Sequence, residues 1–127
     1  MTICGLDVTQ RVRLREADMS QIREAASGIG PVLVDQVRRW WAFTSATENH
    51  LHDPLAILPA LCPELFRFEQ CDVHVEVEEA NPGRTRVDGC GSGAVRIAAD
   101  VNVKAAEQEI VRRLAGHSME KCWSTTN

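Results

Sequence analysis

Several features that direct a protein to a membrane, a nucleic acid or the cell exterior are absent from this chain of 127 residues. No apolar run is long enough to span a bilayer. The N-terminus lacks the basic start and the small-residue cleavage site of a signal peptide, so we expect a cytoplasmic protein. An excess of basic residues is also missing, because the net charge is −4. This balance argues against nucleic acid or an anionic membrane as a partner.

The cysteines lack the spacing of a disulfide scaffold or of a zinc site. There are five of them, an odd number with wide spacings and no C-x-x-C pair: Cys4, Cys62, Cys71, Cys90 and Cys122. This pattern predicts reduced thiols in a cytosolic protein.

The first half of the chain contains one strand pattern followed by helical patterns. The apolar run Thr2–Val8 predicts a buried strand of a parallel sheet. Asp18 can cap a helix, with Gln21 as its capping-box partner and Ile29 on its apolar face. A longer helix is predicted to start at Pro31.

In the second half of the chain, the spacing at which apolar residues recur changes from 3.6 residues to 2 residues. Apolar and polar residues alternate over Cys71–Val77. They alternate again after the turn at 81–83, and a strand is predicted over Val95–Val101. A helix is predicted over Val103–Ala115 and a loose polar tail over 117–127. This order of predicted strands and helices indicates one α/β domain over residues 1–116. The domain has a parallel-sheet strand, flanking helices, a small antiparallel region and a C-terminal helix.

The densest chemistry lies where His52, Asp53 and Pro54 begin an apolar helix. An imidazole that can deliver a proton is adjacent to a carboxylate that can bind a hard cation. A purely structural interpretation is also complete, since Asp53 can be the N-cap and Pro54 the first helical residue. A third interpretation makes His50 and His52 ligands of a zinc site that His74 or a cysteine completes.

Five segments, taken in order, resemble the C-terminal part of the inosine–uridine-preferring nucleoside hydrolases. They are an LDVT run in Gly5–Thr9, an HDPLA run in Leu51–Ala56, a PELF run in Pro63–Phe66, and the two strand segments Thr85–Asp88 and Arg96–Val103. The resemblance implies a partial nucleoside hydrolase fold over nearly the whole chain.

The resemblance also implies an activity, namely hydrolysis of the N-glycosidic bond of purine or pyrimidine ribonucleosides during salvage. It implies that Asp53 binds a calcium ion and that His52 is the general acid toward the departing base. Both roles suit the chemistry. Ca2+ prefers oxygen ligands, and histidine, with an ordinary pKa of about 6.5, can donate a proton near neutrality.

Two departures from the family pattern limit what we expect of this chain alone. It contains neither a D-x-D run nor adjacent aspartates, so the family's N-terminal calcium cluster has no counterpart. There is also no tyrosine for the region over residues 40–50 that closes on the base, where Trp41, Phe43 or His50 could stack instead.

We therefore expect little hydrolysis without a complementary N-terminal half or self-assembly into a homo-oligomer. The alternative is a non-catalytic remnant or assembly module. Such a module would pair with itself or with a longer paralogue through the unpaired edge of Thr2–Val8.

Overall fold

A computed structural model describes residues 1–24, 28–78 and 80–116. Its elements, in chain order, are β1 (Thr2–Ile3), α1 (Leu6–Thr9), β2 (Arg13–Arg15), α2 (Met19–Arg23), α3 (Gly30–Thr44), β3 (Glu48–His50), α4 (His52–Leu61), β4 (Phe66–Val75), β5 (Thr85–Cys90), β6 (Val95–Val101) and α5 (Val103–Leu114). Short 3-10 turns precede α2 and β4. The main sheet has the strand order β1-β6-β4-β5, and β2 pairs with β3 in a second, two-stranded sheet. None of the described helices is both long and apolar enough to cross a membrane.

The predicted strand over Thr2–Val8 is confirmed only in its first residues. Thr2 and Ile3 pair in parallel with β6, as expected for a parallel-sheet strand. The backbone then turns at Gly5, whose carbonyl accepts hydrogen bonds from the N–H groups of Val8 and Thr9 and so starts α1. The prediction was wrong for the rest of the run, because a short apolar run fits either a strand or a helix.

The antiparallel region agrees with the alternating pattern. Strand β4 pairs antiparallel with both β5 and β6. An ion pair also crosses the hairpin, since Arg86 Nη1 lies 3.4 Å from Glu76 Oε1.

The prediction of reduced thiols was wrong for one pair of cysteines. Cys71 of β4 and Cys90 of β5 lie directly opposite each other in the register and form a disulfide. Cys4 carries a free thiol, and the sulfur of Cys62 contacts the side chains of Glu109 and Arg113. Burial, with a smaller contribution from Asp7, raises the pKa of the Cys4 thiol and thus keeps it protonated near neutral pH. Cys122 lies outside the described residues.

The helix predicted from Asp18 differs in its cap and in its end. Asp18 itself has helical backbone angles and belongs to the 3-10 turn, so its carboxylate accepts a hydrogen bond from the Arg15 N–H instead of capping α2 with Gln21. The helix ends at Arg23, which leaves Ile29 outside it and 62% exposed. The longer helix predicted from Pro31 is confirmed as α3, which begins one residue earlier.

One cluster of buried side chains joins the helices to the main sheet. It contains residues of α1, α2, α3, α4, β6 and α5, among them Val8, Ile22, Val34, Leu55, Leu58, Ala98, Ala106 and Ile110. The C-terminal helix is confirmed, with Asn102 as its N-cap accepting from the Ala105 N–H. The predicted tail over 117–127 lies outside the described residues.

We expect a pH-dependent contribution to stability from Glu109 of α5. Its carboxylate accepts hydrogen bonds from Arg112 and Arg113, which lower its pKa from 4.5 to about 2. Because the folded pKa lies below the unfolded one, the stabilisation is complete above about pH 4.5 and is lost as the pH falls towards 2.

Glu109→Gln should therefore lower the free energy of unfolding at pH 7 by about 1–2 kcal/mol. Urea titrations of both proteins at pH 7 and at decreasing pH measure the difference, which should shrink towards pH 2. Glu64→Gln is the control, since Glu64 is exposed and has no ion pair within the described part of the chain. A difference between Glu109→Gln and the unsubstituted chain that did not vary with pH would contradict the assignment.

Candidate functional site

The candidate site lies at the beginning of α4. This helix starts at His52 with Leu51 as the N-cap residue, so Asp53 is the second helical residue. The prediction that Asp53 is the N-cap was therefore wrong, and it forms no capping hydrogen bond. The Leu51 N–H donates to the Val12 carbonyl, which ties the helix start to the segment that leads into β2. Pro59 lies inside α4, and the helix continues past it to Leu61.

Asp53 is exposed in the first turn of α4. In this turn the backbone N–H groups point outwards and the helix dipole favours a negative charge. No hydrogen bond or ion pair engages the carboxylate within the described residues. Asp53 is therefore available to a ligand, and capping does not account for its presence.

His52 is half-buried and is held by a residue far away in the sequence. Its Nδ1 lies 2.8 Å from the hydroxyl oxygen of Thr9, the last residue of α1. No other described residue forms a hydrogen bond with the ring, so Nε2 remains free. An imidazole that is anchored through one nitrogen and free at the other can exchange a proton with a bound molecule.

His50 lies beside His52 and is anchored in a similar way. It ends β3, which pairs antiparallel with β2, and its Nδ1 lies 2.8 Å from the Gln10 carbonyl oxygen. The two rings are 5.6 Å apart between centroids. Consecutive residues, Thr9 and Gln10, thus hold the two histidines side by side.

A cleft with a volume of about 350 Å³ opens beside these residues. Its lining combines apolar side chains of several elements with the polar groups at the start of α4: Leu14, Leu33, Val37, Asn49, His50, Leu51, His52, Asp53, Pro54 and Leu114. The two histidines and Asp53 therefore line one concave surface.

The three aromatic candidates for contact with a base have different positions. Trp41 is buried and its indole N–H donates a hydrogen bond to Asn49, so its ring is part of the core. Phe43 is exposed and does not line the cleft. His50 does line it.

The described residues do not form a complete calcium site. The one group of three possible ligands found in the described residues is Glu69, Cys71 and Cys90, and its two sulfurs form the disulfide. Asp53 therefore lacks the further carboxylates that Ca2+, with about six to eight oxygen ligands, requires. The zinc interpretation gains no support either, because His74 instead pairs with Asp88 at 2.5 Å.

Comparison with known proteins identifies the family. The sequence profile of the inosine-uridine preferring nucleoside hydrolases matches residues 1–108. The chain belongs to this nucleoside hydrolase family. It is 35% identical over 100 residues to a pyrimidine-specific ribonucleoside hydrolase, RihA, of Shewanella woodyi, a match that covers 72% of this chain. It is 33% identical over 120 residues to the non-specific ribonucleoside hydrolase RihC of Escherichia coli O127:H6, which covers 91% of this chain.

Solved nucleoside hydrolases share the fold. The purine-preferring ribonucleoside hydrolase from Gardnerella vaginalis superposes with a TM-score of 0.77 at 28% identity, over 91% of this chain. A plant nucleoside hydrolase superposes with a TM-score of 0.74 at 20% identity. The predicted partial nucleoside hydrolase fold is thereby confirmed. The matches cover only 31% of the RihA relative, 39% of the RihC relative and 39% of the Gardnerella enzyme.

Sequence reasoning did not identify Thr9 or Gln10 as site residues. Thr9 was noted only as part of the LDVT run, and it lies 43 positions from its partner His52. The run around Thr9 also contains the polar Asp7, so the residue type of Thr9 alone does not reveal a partner 43 positions away.

Proposed function

We propose that this chain supplies the C-terminal part of a site that hydrolyses the N-glycosidic bond of ribonucleosides. The main observation is the exposed carboxylate of Asp53 next to the free Nε2 of His52, both at the rim of one cleft in a nucleoside hydrolase fold. The relatives are described as pyrimidine-specific, non-specific and purine-preferring, so the proposal extends to ribonucleosides without a preference for one base.

In this proposal His52 is the general acid. Cleavage of the bond between the ribose and the base leaves negative charge on a base nitrogen, and a proton from Nε2 neutralises it as the bond breaks. Water supplies the hydroxyl group that the ribose retains, and the proton that this water releases passes to the solvent. Thr9 holds the ring through the other nitrogen, so Nε2 can face the cleft throughout.

Asp53 is proposed as one calcium ligand. The ligand set cannot be completed within the described residues of this chain, so the remaining oxygens have to come from outside these residues. The proposed partner is accordingly a complementary N-terminal half of a nucleoside hydrolase, or a second copy of the chain. We further propose a cytoplasmic location, a prediction that depends on the sequence alone.

Release of reducing sugar from inosine and uridine tests the proposal, with calcium and with a chelator. The purified chain alone should show little turnover, and co-expression with the N-terminal part of the Escherichia coli relative should produce calcium-dependent turnover. His52→Ala should lower that turnover by about 10²–10⁴-fold. His74→Ala is the matched control, because His74 lies on the hairpin and outside the cleft. Equal turnover for both variants would contradict the role of His52.

A second candidate function is that of a non-catalytic assembly module. It is favoured by exposed apolar side chains at the sheet edge and on α3, namely Met1, Leu6, Val32, Trp40 and Phe43. The edge of β1 that faces away from β6 has no strand partner among the described residues. Self-association in sedimentation experiments, combined with no turnover in the co-expression assay, would support the module and contradict the enzyme.

A further inference from the structure

We propose that Cys71, Cys90 and Glu69 bind a zinc ion when the disulfide between the two cysteines is reduced. In the described part of the chain, the sulfur of each cysteine and a carboxylate oxygen of Glu69 all lie within 4.8 Å of one another. The two cysteines lie on different strands, so they do not form a C-x-x-C motif. The site is separate from the proposed active site, since none of the three residues lines the cleft at the start of α4.

The sheet brings the three side chains to one face. Cys71 of β4 lies directly opposite Cys90 of β5. Glu69 precedes Cys71 by two positions in β4, and alternate residues of a strand point to the same face. The register shifts of β4 lie before Phe68 and after Asp72, so the strand is regular between Glu69 and Cys71. The three donor groups therefore converge on one place in the sheet.

The backbone holds the two thiols opposite each other without the disulfide. Cys71 belongs to two ladders, because it pairs with Cys90 on one side and with Val95 of β6 on the other. Just beyond the cysteine pair, the Gly91 N–H donates a hydrogen bond of 2.7 Å to the Gln70 carbonyl. Reduction breaks the bond between the sulfurs and leaves these backbone hydrogen bonds in place. The sulfurs can then separate and stay close enough to share one ion.

Reduction begins at Cys90, because this residue is exposed whereas Cys71 is 1% exposed. A thiolate of a dithiol reductant attacks the Cys90 sulfur, and the bond to the Cys71 sulfur breaks. The second thiol of the reductant then releases Cys90 from the mixed disulfide. The reductant thus gives two electrons and two protons and becomes a disulfide, and two cysteine thiols remain. Zinc binds thiolates, so its binding releases the two thiol protons to the solvent, and the ion itself is neither oxidised nor reduced.

These donors suit zinc better than calcium. Thiolates are soft ligands that select zinc, whereas calcium requires about six to eight oxygen ligands. Around a tetrahedral zinc ion, with bonds of about 2.3 Å to sulfur and about 2.0–2.2 Å to oxygen, neighbouring ligand atoms lie about 3.4–3.8 Å apart. The donor atoms already lie within 4.8 Å, so small adjustments bring them to one ion. Arg67 pairs with Oε1 of Glu69, which leaves Oε2 for the ion, and a water molecule takes the fourth position.

Zinc titration of the purified full chain tests the site. The chain is reduced with a phosphine, which adds no competing thiol, and Zn2+ is added in the presence of a chromophoric chelator. We expect the reduced chain to take up one zinc ion and the chain with its disulfide intact to take up none. Co2+ in place of Zn2+ should give the absorption of a thiolate-bound ion in the reduced chain alone. None of these measurements depends on turnover of a nucleoside.

Variants of the reduced chain show which residues hold the ion. Cys90→Ser should lower the zinc affinity by about 100-fold or more and Glu69→Gln by about tenfold, since loss of even an outer contact to a metal ligand costs about 10–100-fold. Cys4→Ser is the matched control, because Cys4 carries a free thiol outside the cluster. No zinc uptake by the reduced, unsubstituted chain would overturn the proposal, as would equal zinc affinities of Cys90→Ser and Cys4→Ser. The first of these results needs no variant, so it decides the matter even if Cys90→Ser does not fold.

Discussion

Replacement of Gly93 by alanine is expected to lower the free energy of unfolding by about 3 kcal/mol or more. Gly93 lies between β5 and β6, where the chain crosses close to β4. A Cβ atom at this position would lie 1.9 Å from the carbonyl carbon of Cys71 and 2.2 Å from its oxygen. Both atoms belong to the backbone, so no rotation of a side chain can relieve the contact.

The backbone of β4 cannot easily move away either. Cys71 is paired on one side with Cys90 of β5 and on the other with Val95 of β6, and the disulfide joins the first of these pairs. A shift of the Cys71 peptide would disturb both ladders. The alanine is therefore accommodated only by displacing the connection around Gly93, and with it the start of β6.

Urea unfolding followed by circular dichroism measures this effect. Gly89→Ala is the matched control, because Gly89 lies in β5 with no atom within 4 Å of its added Cβ and without a left-handed backbone angle. Its free energy of unfolding should change by no more than about 0.5 kcal/mol. Equal stabilities of the Gly93→Ala and Gly89→Ala proteins would show that the connection does not approach β4 as described.

The parts of the fold that depend on local patterns were predictable from the sequence. The alternation around Val73 and Val75 marks a strand because successive side chains of a strand point to opposite faces. Asn102 precedes a helical pattern and caps α5, as its residue type favours. The start of α4 was predicted to within two residues, since Pro54 was expected as its first residue and the helix begins at His52.

Contacts between distant segments were not predictable in the same way. The disulfide between Cys71 and Cys90 depends on the register of β4 and β5. The composition of the turn between these strands does not determine that register by itself. The end of β1 after Ile3 depends on how α1 packs. The hydrogen bond between Thr9 and His52 joins two elements whose relative position only the packed core defines. The family resemblance supplied the roles of His52 and Asp53, but it did not supply this contact.

The second large effect is expected for Leu55→Ala, in the helix that carries the candidate site. Leu55 is 0% exposed and belongs to the core cluster, and it lies one turn after the beginning of α4. Truncation to alanine removes three buried carbon atoms and leaves a cavity, which in protein cores costs about 2–5 kcal/mol. The loss is a large part of the stability of a domain of this size, which is about 5–15 kcal/mol.

Ile57→Ala is the matched control on the same helix. Ile57 is 58% exposed, so its truncation should change the free energy of unfolding by no more than about 0.5 kcal/mol. The two variants also separate stability from the geometry of the site. If α4 is positioned by its buried face, Leu55→Ala should shift the nitrogen-15 NMR signals of the His52 ring in the folded protein, since the contact with Thr9 requires both helices in place. Ile57→Ala should leave these signals unchanged. A Leu55→Ala protein with the stability and the His52 signals of the unsubstituted chain would mean that the buried face of α4 does not hold the site.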